Sequence, residues 1–259
     1  MVKGLETFRK AMQPYKEHFV IIGGTACDIR LTGTAMIPRA TEDIDIIVVI
    51  ERLSEEFVQA IWQFVKAGNY KAEKRISQQG QSVYALYRFT LQDERWDYPQ
   101  KIELLSRHSE LLGEPSGFHI EPIPTDEDSH SLSAIIMDDD YYDFTIHHTD
   151  DIDGLLVANN KALIVLKANA YLNLLKERDA GRQVNSKDIR KHRSDVLKLV
   201  AAGNYPEPQP VNSKIYASIR LFIDEVNKHR QSLADALDVS VEAIDAFLNV
   251  LRNEIFVEE

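Results

Sequence analysis

The chain holds one cysteine, Cys27, in 259 residues. That excludes an intramolecular disulfide framework and fits a reducing compartment. Cys27 follows a glycine turn on an apolar helix face, with no Cys-His motif around it. It reads as a small packing residue rather than a nucleophile. No apolar run approaches the roughly 18 residues of a spanning helix. The start, Met1-Val2-Lys3-Gly4-Leu5-Glu6, carries mixed charge and reads as an amphipathic helix, not a signal peptide. A soluble cytoplasmic protein with no membrane partner is expected. There is no internal repeat, and 44% apolar residues argue against disorder.

Positive charge is also scarce: 30 Lys and Arg stand against 41 Asp and Glu, for a net charge of −11. Bulk nucleic acid is repelled at long range by such a surface. The deficit is uneven, because residues 161–199 carry ten basic residues against four acidic ones. That segment suits a triphosphate or a defined stretch of RNA, or is simply a solvated helix face. The acidic stretch Asp138-Asp139-Asp140-Tyr141-Tyr142-Asp143, continued by His147 to Asp153, lacks a calcium loop's glycine and zinc-type spacing. It reads as a solvated connection between domains, with Tyr141-Tyr142 available for stacking or packing.

Strands are expected at 18–22, 44–50, 82–89, 101–105 and 132–137, with irregular chain over 108–131. Helices are expected at 4–13, from Thr25 to about Leu31, and from Ser54-Glu55-Glu56 to about Ala67. From Asn160 the period changes to 3.6, with Ala162, Leu163, Leu166, Ala170 and Leu174 on one helical face. A second helix runs from Ser186, its expected N-cap, to Val200. Pro206 to Pro210 reads as an extended linker, followed by helices near 212–229, 231–236 and 240–253. The expected fold class is α/β (α+β): a small mixed sheet with helices over residues 1–155, and a helical domain over 156–259.

The chemistry concentrates in two places. Gly23-Gly24-Thr25-Ala26 ends the apolar run Phe19-Val20-Ile21-Ile22, and Asp43-Ile44-Asp45 opens the run Ile46-Ile47-Val48-Val49-Ile50. Residues i and i+2 of a strand share a face, so both carboxylates project together. Two such carboxylates suit a hard divalent cation that also takes phosphate oxygens, Mg²⁺ or Mn²⁺. Glycines without Cβ let a phosphate approach the backbone, and Thr25 adds a hydroxyl at a helix start, where anions are favoured. The bland alternative is a tight strand–helix turn beside two solvated aspartates.

Gly23-Gly24 followed by Arg39-Ala40-Thr41-Glu42-Asp43-Ile44-Asp45-Ile46 resembles the polymerase-beta-type nucleotidyltransferase superfamily, and within it the AbiEii type of abortive-infection enzymes. The resemblance implies a nucleotidyltransferase core whose third carboxylate is Glu103, in Lys101-Ile102-Glu103-Leu104-Leu105, where the family more often has Asp. It implies phosphate contacts from Gly23, Gly24, Thr25, Arg39 and Thr41. It also implies contacts from Lys167, on a helix whose face is otherwise apolar, and from Lys191, in a segment like the family's fourth motif. His192 replaces that motif's usual Asp. By spacing alone, Lys191 and Asp195 are one turn apart and form an i, i+4 ion pair as an alternative. The implied reaction is Mg²⁺-dependent transfer of a nucleotidyl group from an NTP to a hydroxyl in a cleft between the domains. The implied acceptor is RNA, the setting toxin-like or phage defence, and the partner a cognate antitoxin protein. A small-molecule transferase of the aminoglycoside-modifying sort and a non-catalytic nucleotide- or partner-binding module are the alternatives.

Overall fold

In the computed structural model, which describes residues 2–79, 82–107, 112–113, 120–122 and 138–259, the run Phe19–Ile22 forms strand β1 with all four residues buried. Such a continuous apolar strand belongs inside a sheet covered on both faces. Among the described residues the sheet has eight strands, in the order β6-β3-β4-β5-β2-β1-β8-β7. They are β2 (Asp43–Val48), β3 (Tyr70–Gln79), β4 (Ser82–Leu91), β5 (Lys101–Ser106), β6 (Ile120–Pro122), β7 (Thr149–Ile152) and β8 (Leu155–Ala158). It is mixed: β1 runs antiparallel to β2 and parallel to β8, while β2 and β5 run parallel.

Three helices accompany it: α1 (Leu5–Met12), α2 (Gly23–Leu31) and α3 (Glu55–Ala67). Ser54 caps α3 by accepting from the Phe57 amide at 3.2 Å, satisfying one of the donors a helix start leaves over. Phe8 of α1 lies edge-on to Phe19 of β1 and to Phe64 of α3, with ring centroids 5.8 and 5.6 Å apart. Phe57 stacks on Phe19 at 5.9 Å. These aromatic contacts lock both helices to the sheet.

The described residues form two compact units. The first takes those within Met1–Ile29, Pro38–Ser129 and Ile146–Asn159; the second takes Arg30–Ile37, residues 138–145 and Asn160–Glu259. The break thus falls at Asn159/Asn160, a few residues beyond the expected one, and two stretches from before it join the helical unit. That unit contains most of α4 (Asp139–His147), then α5 (Asn160–Asp179), α6 (Ser186–Ala202), α7 (Ser213–Asn227), α8 (Arg230–Leu237) and α9 (Val241–Val250). Its core helix is α5. Eleven of its residues are buried, and they include the consecutive run from Ala162 to Ala168. Over that run the helix is covered on every side, as an interior helix is, rather than on the one face expected.

Four further expectations are corrected. The acidic connection is structured: Asp139–His147 is a helix, Tyr141 and Tyr142 are buried in it, and the Tyr141 hydroxyl donates to Ser218 at 2.7 Å. Packing, not stacking on a partner, is their role. Thr149–Ala158 is a hairpin, turning at Asp153 and Gly154 with φ of 51° and 79°, the geometry of a type I′ turn. The proline-rich linker ends in strand β9 (Gln209–Val211), paired in parallel with β10 (Phe256–Glu258). The α6 cap is Asn185, whose side chain accepts from the Lys187 amide at 2.9 Å, rather than Ser186. The strand expected at 132–137 and most of the irregular stretch 108–131 lie outside the described residues. No helix among the described residues is long and apolar enough to cross a membrane.

Candidate functional site

The start of β2 alternates as the sequence requires: Asp43 and Asp45 are half-buried and Ile44 is fully buried. Beside β2, parallel β5 places Lys101 opposite Asp43 and Glu103 opposite Asp45. On the other side of β5, antiparallel β4 places Arg88 opposite Glu103. Paired residues of neighbouring strands share a sheet face. One face therefore carries Asp43, Asp45 and Glu103 together with two cations.

These charges are in contact. Lys101 Nζ lies 3.0 Å from Asp43 Oδ2 and 3.6 Å from Glu103 Oε1. Arg88, buried to 8% exposure, donates from Nε to Glu103 Oε1 at 2.9 Å. Burial works against the Lys101 ammonium, but Glu103, Asp43 and Asp45 outweigh it and hold its pKa above the ordinary lysine value.

The glycine pair meets this face directly. Gly23 has φ of 69°, a left-handed conformation that costs other residues roughly 1–2 kcal/mol. A Cβ on Gly23 would lie 1.9 Å from Asp45 Oδ2, and one on Gly24 would lie 2.5 Å from Arg39 Nη2 and 2.8 Å from Thr41 Oγ1. Asp45 is thus seated on Gly23, while Arg39 and Thr41 are seated on Gly24. Motif halves separated in sequence are brought together here. Gly23→Ala is expected to destabilise the fold by at least about 1–2 kcal/mol from the backbone alone and to displace Asp45. Urea unfolding checks it; a variant as stable as wild type would show that the left-handed turn is not required.

Thr25 has a different role from the one expected. It is fully buried, and its hydroxyl donates to the Asp43 carbonyl oxygen. It ties the start of α2 to β2 rather than offering its hydroxyl to a phosphate. Lys167 departs from expectation too. It is 1% exposed, and its Nζ lies 2.7 Å from Asp195 Oδ2. The anion that a buried ammonium needs is supplied by α6, not by a nucleotide. Asp195 turns inward to α5, and Lys191 lies 3.6 Å from Asp188 on its own helix.

Lys101 and Arg88 were not singled out from sequence. Lys101 had a readable signal, since it stands two residues before Glu103 and so on the same strand face. Arg88 had none, because its position opposite Glu103 depends on the β4–β5 register.

By donor type the set suits a hard divalent cation, with three carboxylates on one sheet face beside a glycine without a side chain. Among the described residues, no three His, Cys, Asp or Glu side chains are grouped closely enough to share a metal ion; Lys101 stands between Asp43 and Glu103 instead. No family model, curated protein or solved structure matches the chain.

Proposed function

We propose that the chain is a nucleotidyltransferase that moves a nucleotidyl group from an NTP to a hydroxyl acceptor, as its resemblance to the AbiEii type implies. One observation carries the reading. Asp45 sits on Gly23, and Arg39 and Thr41 sit on Gly24, so the two segments of the motif form one surface. The antiparallel pairing of β1 with β2, which sets Ile22 opposite Asp45, brings them together.

Asp43, Asp45 and Glu103 would hold Mg²⁺ or Mn²⁺, which when bound neutralises the triphosphate and makes the attacking hydroxyl more acidic. Arg39 offers a fork of donors to phosphate oxygens, and the Thr41 hydroxyl stands beside it. Gly24 keeps the backbone under these groups open to an anion. Glu103 either completes the donor set or accepts the hydroxyl proton. The acceptor oxygen bonds to the α-phosphorus, the bond from that phosphorus to the bridging oxygen breaks, and pyrophosphate departs. The residues act by positioning and charge, without a covalent intermediate. RNA is the favoured acceptor, in a toxin-like or phage-defence setting with a cognate antitoxin. A small hydroxylated molecule is the second acceptor class.

The test is incubation with Mg²⁺, each labelled NTP, and either total RNA or a panel of small hydroxylated compounds. Label in RNA, or in one small acceptor, supports transfer and names the acceptor. An NTP with Mg²⁺ should also raise the melting temperature, because binding to the native state alone adds about 2.7 kcal/mol at a hundredfold excess over Kd. Binding without label transfer would leave a nucleotide-binding module. If all four NTPs at millimolar concentration leave the melt unchanged, with Mg²⁺ and with Mn²⁺, the enzyme reading fails.

A further inference from the structure

Lys101 is a cation placed between two carboxylates of the site, on the face that also carries Asp45. Its Nζ is 3.0 Å from Asp43 and 3.6 Å from Glu103, and Asp45 adds to the field that keeps it charged. Its side chain is 30% exposed, so it combines partial burial with a route to solvent. Arg88 is different. It is almost fully buried and holds Glu103 from the neighbouring strand, which suits a fixed positioning residue. The long lysine stem, with its rotatable bonds, suits a movable one.

We propose that Lys101 is a built-in counter-ion that keeps the Asp43–Asp45–Glu103 face assembled in the metal-free protein and gives way when a divalent cation binds. The inference rests on the proposed function, since it takes these carboxylates as the cation's ligands. Its physical basis is repulsion. Like charges on adjacent strand positions destabilise a sheet, and the Lys101 ammonium between Asp43 and Glu103 relieves part of that cost alongside Arg88. An ammonium at the same place also opposes a divalent cation, because both compete for the same oxygens and repel each other. Lys101 therefore sets a threshold: the site fills where divalent cation is abundant, or where nucleotide phosphates bring further oxygens and negative charge to it.

The experiment measures Mn²⁺ binding without nucleotide, by paramagnetic resonance of free Mn²⁺, for the full chain and for Lys101→Met and Lys101→Arg. The proposal expects Lys101→Met to bind Mn²⁺ roughly tenfold tighter or more, as removal of one repelling unit charge implies. It expects Lys101→Arg to bind no tighter than wild type. Lys101→Met should also melt lower than wild type without metal and gain more from added Mg²⁺. Lys101→Gln, of similar length and uncharged, repeats the measurement if Lys101→Met does not fold. Unchanged or weaker Mn²⁺ affinity in the neutral variants, with wild type binding normally, overturns the counter-ion role and leaves the metal site standing. Absence of Mn²⁺ binding in every variant, at millimolar concentration, overturns the metal site and the counter-ion role together.

Discussion

Asp45→Ala is expected to lower the rate of nucleotidyl transfer by roughly a thousandfold, about 4 kcal/mol of transition-state stabilisation. Asp45 is the carboxylate in contact with the glycine turn and in register with Glu103. It therefore joins the glycine turn to the carboxylate face. Its removal takes away one of three oxygen donors, and the remaining two retain Lys101 and Arg88 as partners. The fold should hardly change, because a half-buried side chain is lost from a strand whose apolar residues remain. A stability shift below about 1 kcal/mol is expected. Asp45→Asn keeps the shape and removes the charge, so it should lose nearly as much rate. The check is the initial rate of label transfer at saturating NTP, together with urea unfolding of both variants. Wild-type rate in either variant would remove Asp45 from the chemistry.

Lys167→Ala should act on stability rather than on nucleotide binding. The Lys167–Asp195 pair has side chains 2% and 3% exposed. Removing one partner of such a pair leaves the other charge buried alone, at a cost of about 3–5 kcal/mol. Asp195→Ala should cost a similar amount. A double variant, Lys167→Met with Asp195→Leu, should recover most of it, since an apolar pair of similar volume carries no desolvation penalty. Urea midpoints of the two single variants and the double variant measure this directly. Under conditions where Lys167→Ala is folded, its NTP affinity should equal that of wild type. A tenfold loss of affinity with unchanged stability would instead restore the phosphate contact that the sequence suggests.

Much of the site was legible because its signals are local. Alternation along Asp43-Ile44-Asp45 determines which face the carboxylates take, whatever the strand's neighbours. Gly23 ends a strand of four apolar residues and takes φ of 69°, a conformation glycine adopts at little cost. The positions of the C-terminal helices were also readable, although the expected cap Ser186 lies one residue past the actual cap, Asn185. The hairpin at Asp153-Gly154 was legible but overlooked. Asp-Gly between short strand-like segments is a turn signal in its own right, obscured here by the run of acidic residues before it.

The sequence by itself determined that two aspartates share a strand face beside a glycine turn, that the fold mixes a sheet with C-terminal helices, and that Lys167 needs an anion. The tertiary structure decided which partners these groups meet. Parallel pairing of β2 with β5 puts Glu103 beside Asp45 and Lys101 beside Asp43, and no local pattern specifies a register between strands more than fifty residues apart. The packing of α6 against α5 gives Lys167 its anion in Asp195. Periodicity states which side of an element is apolar; it does not state how many neighbours surround it. Helix α5 is buried at every residue from Ala162 to Ala168, so a lysine expected to reach a ligand is enclosed in the core with its own carboxylate.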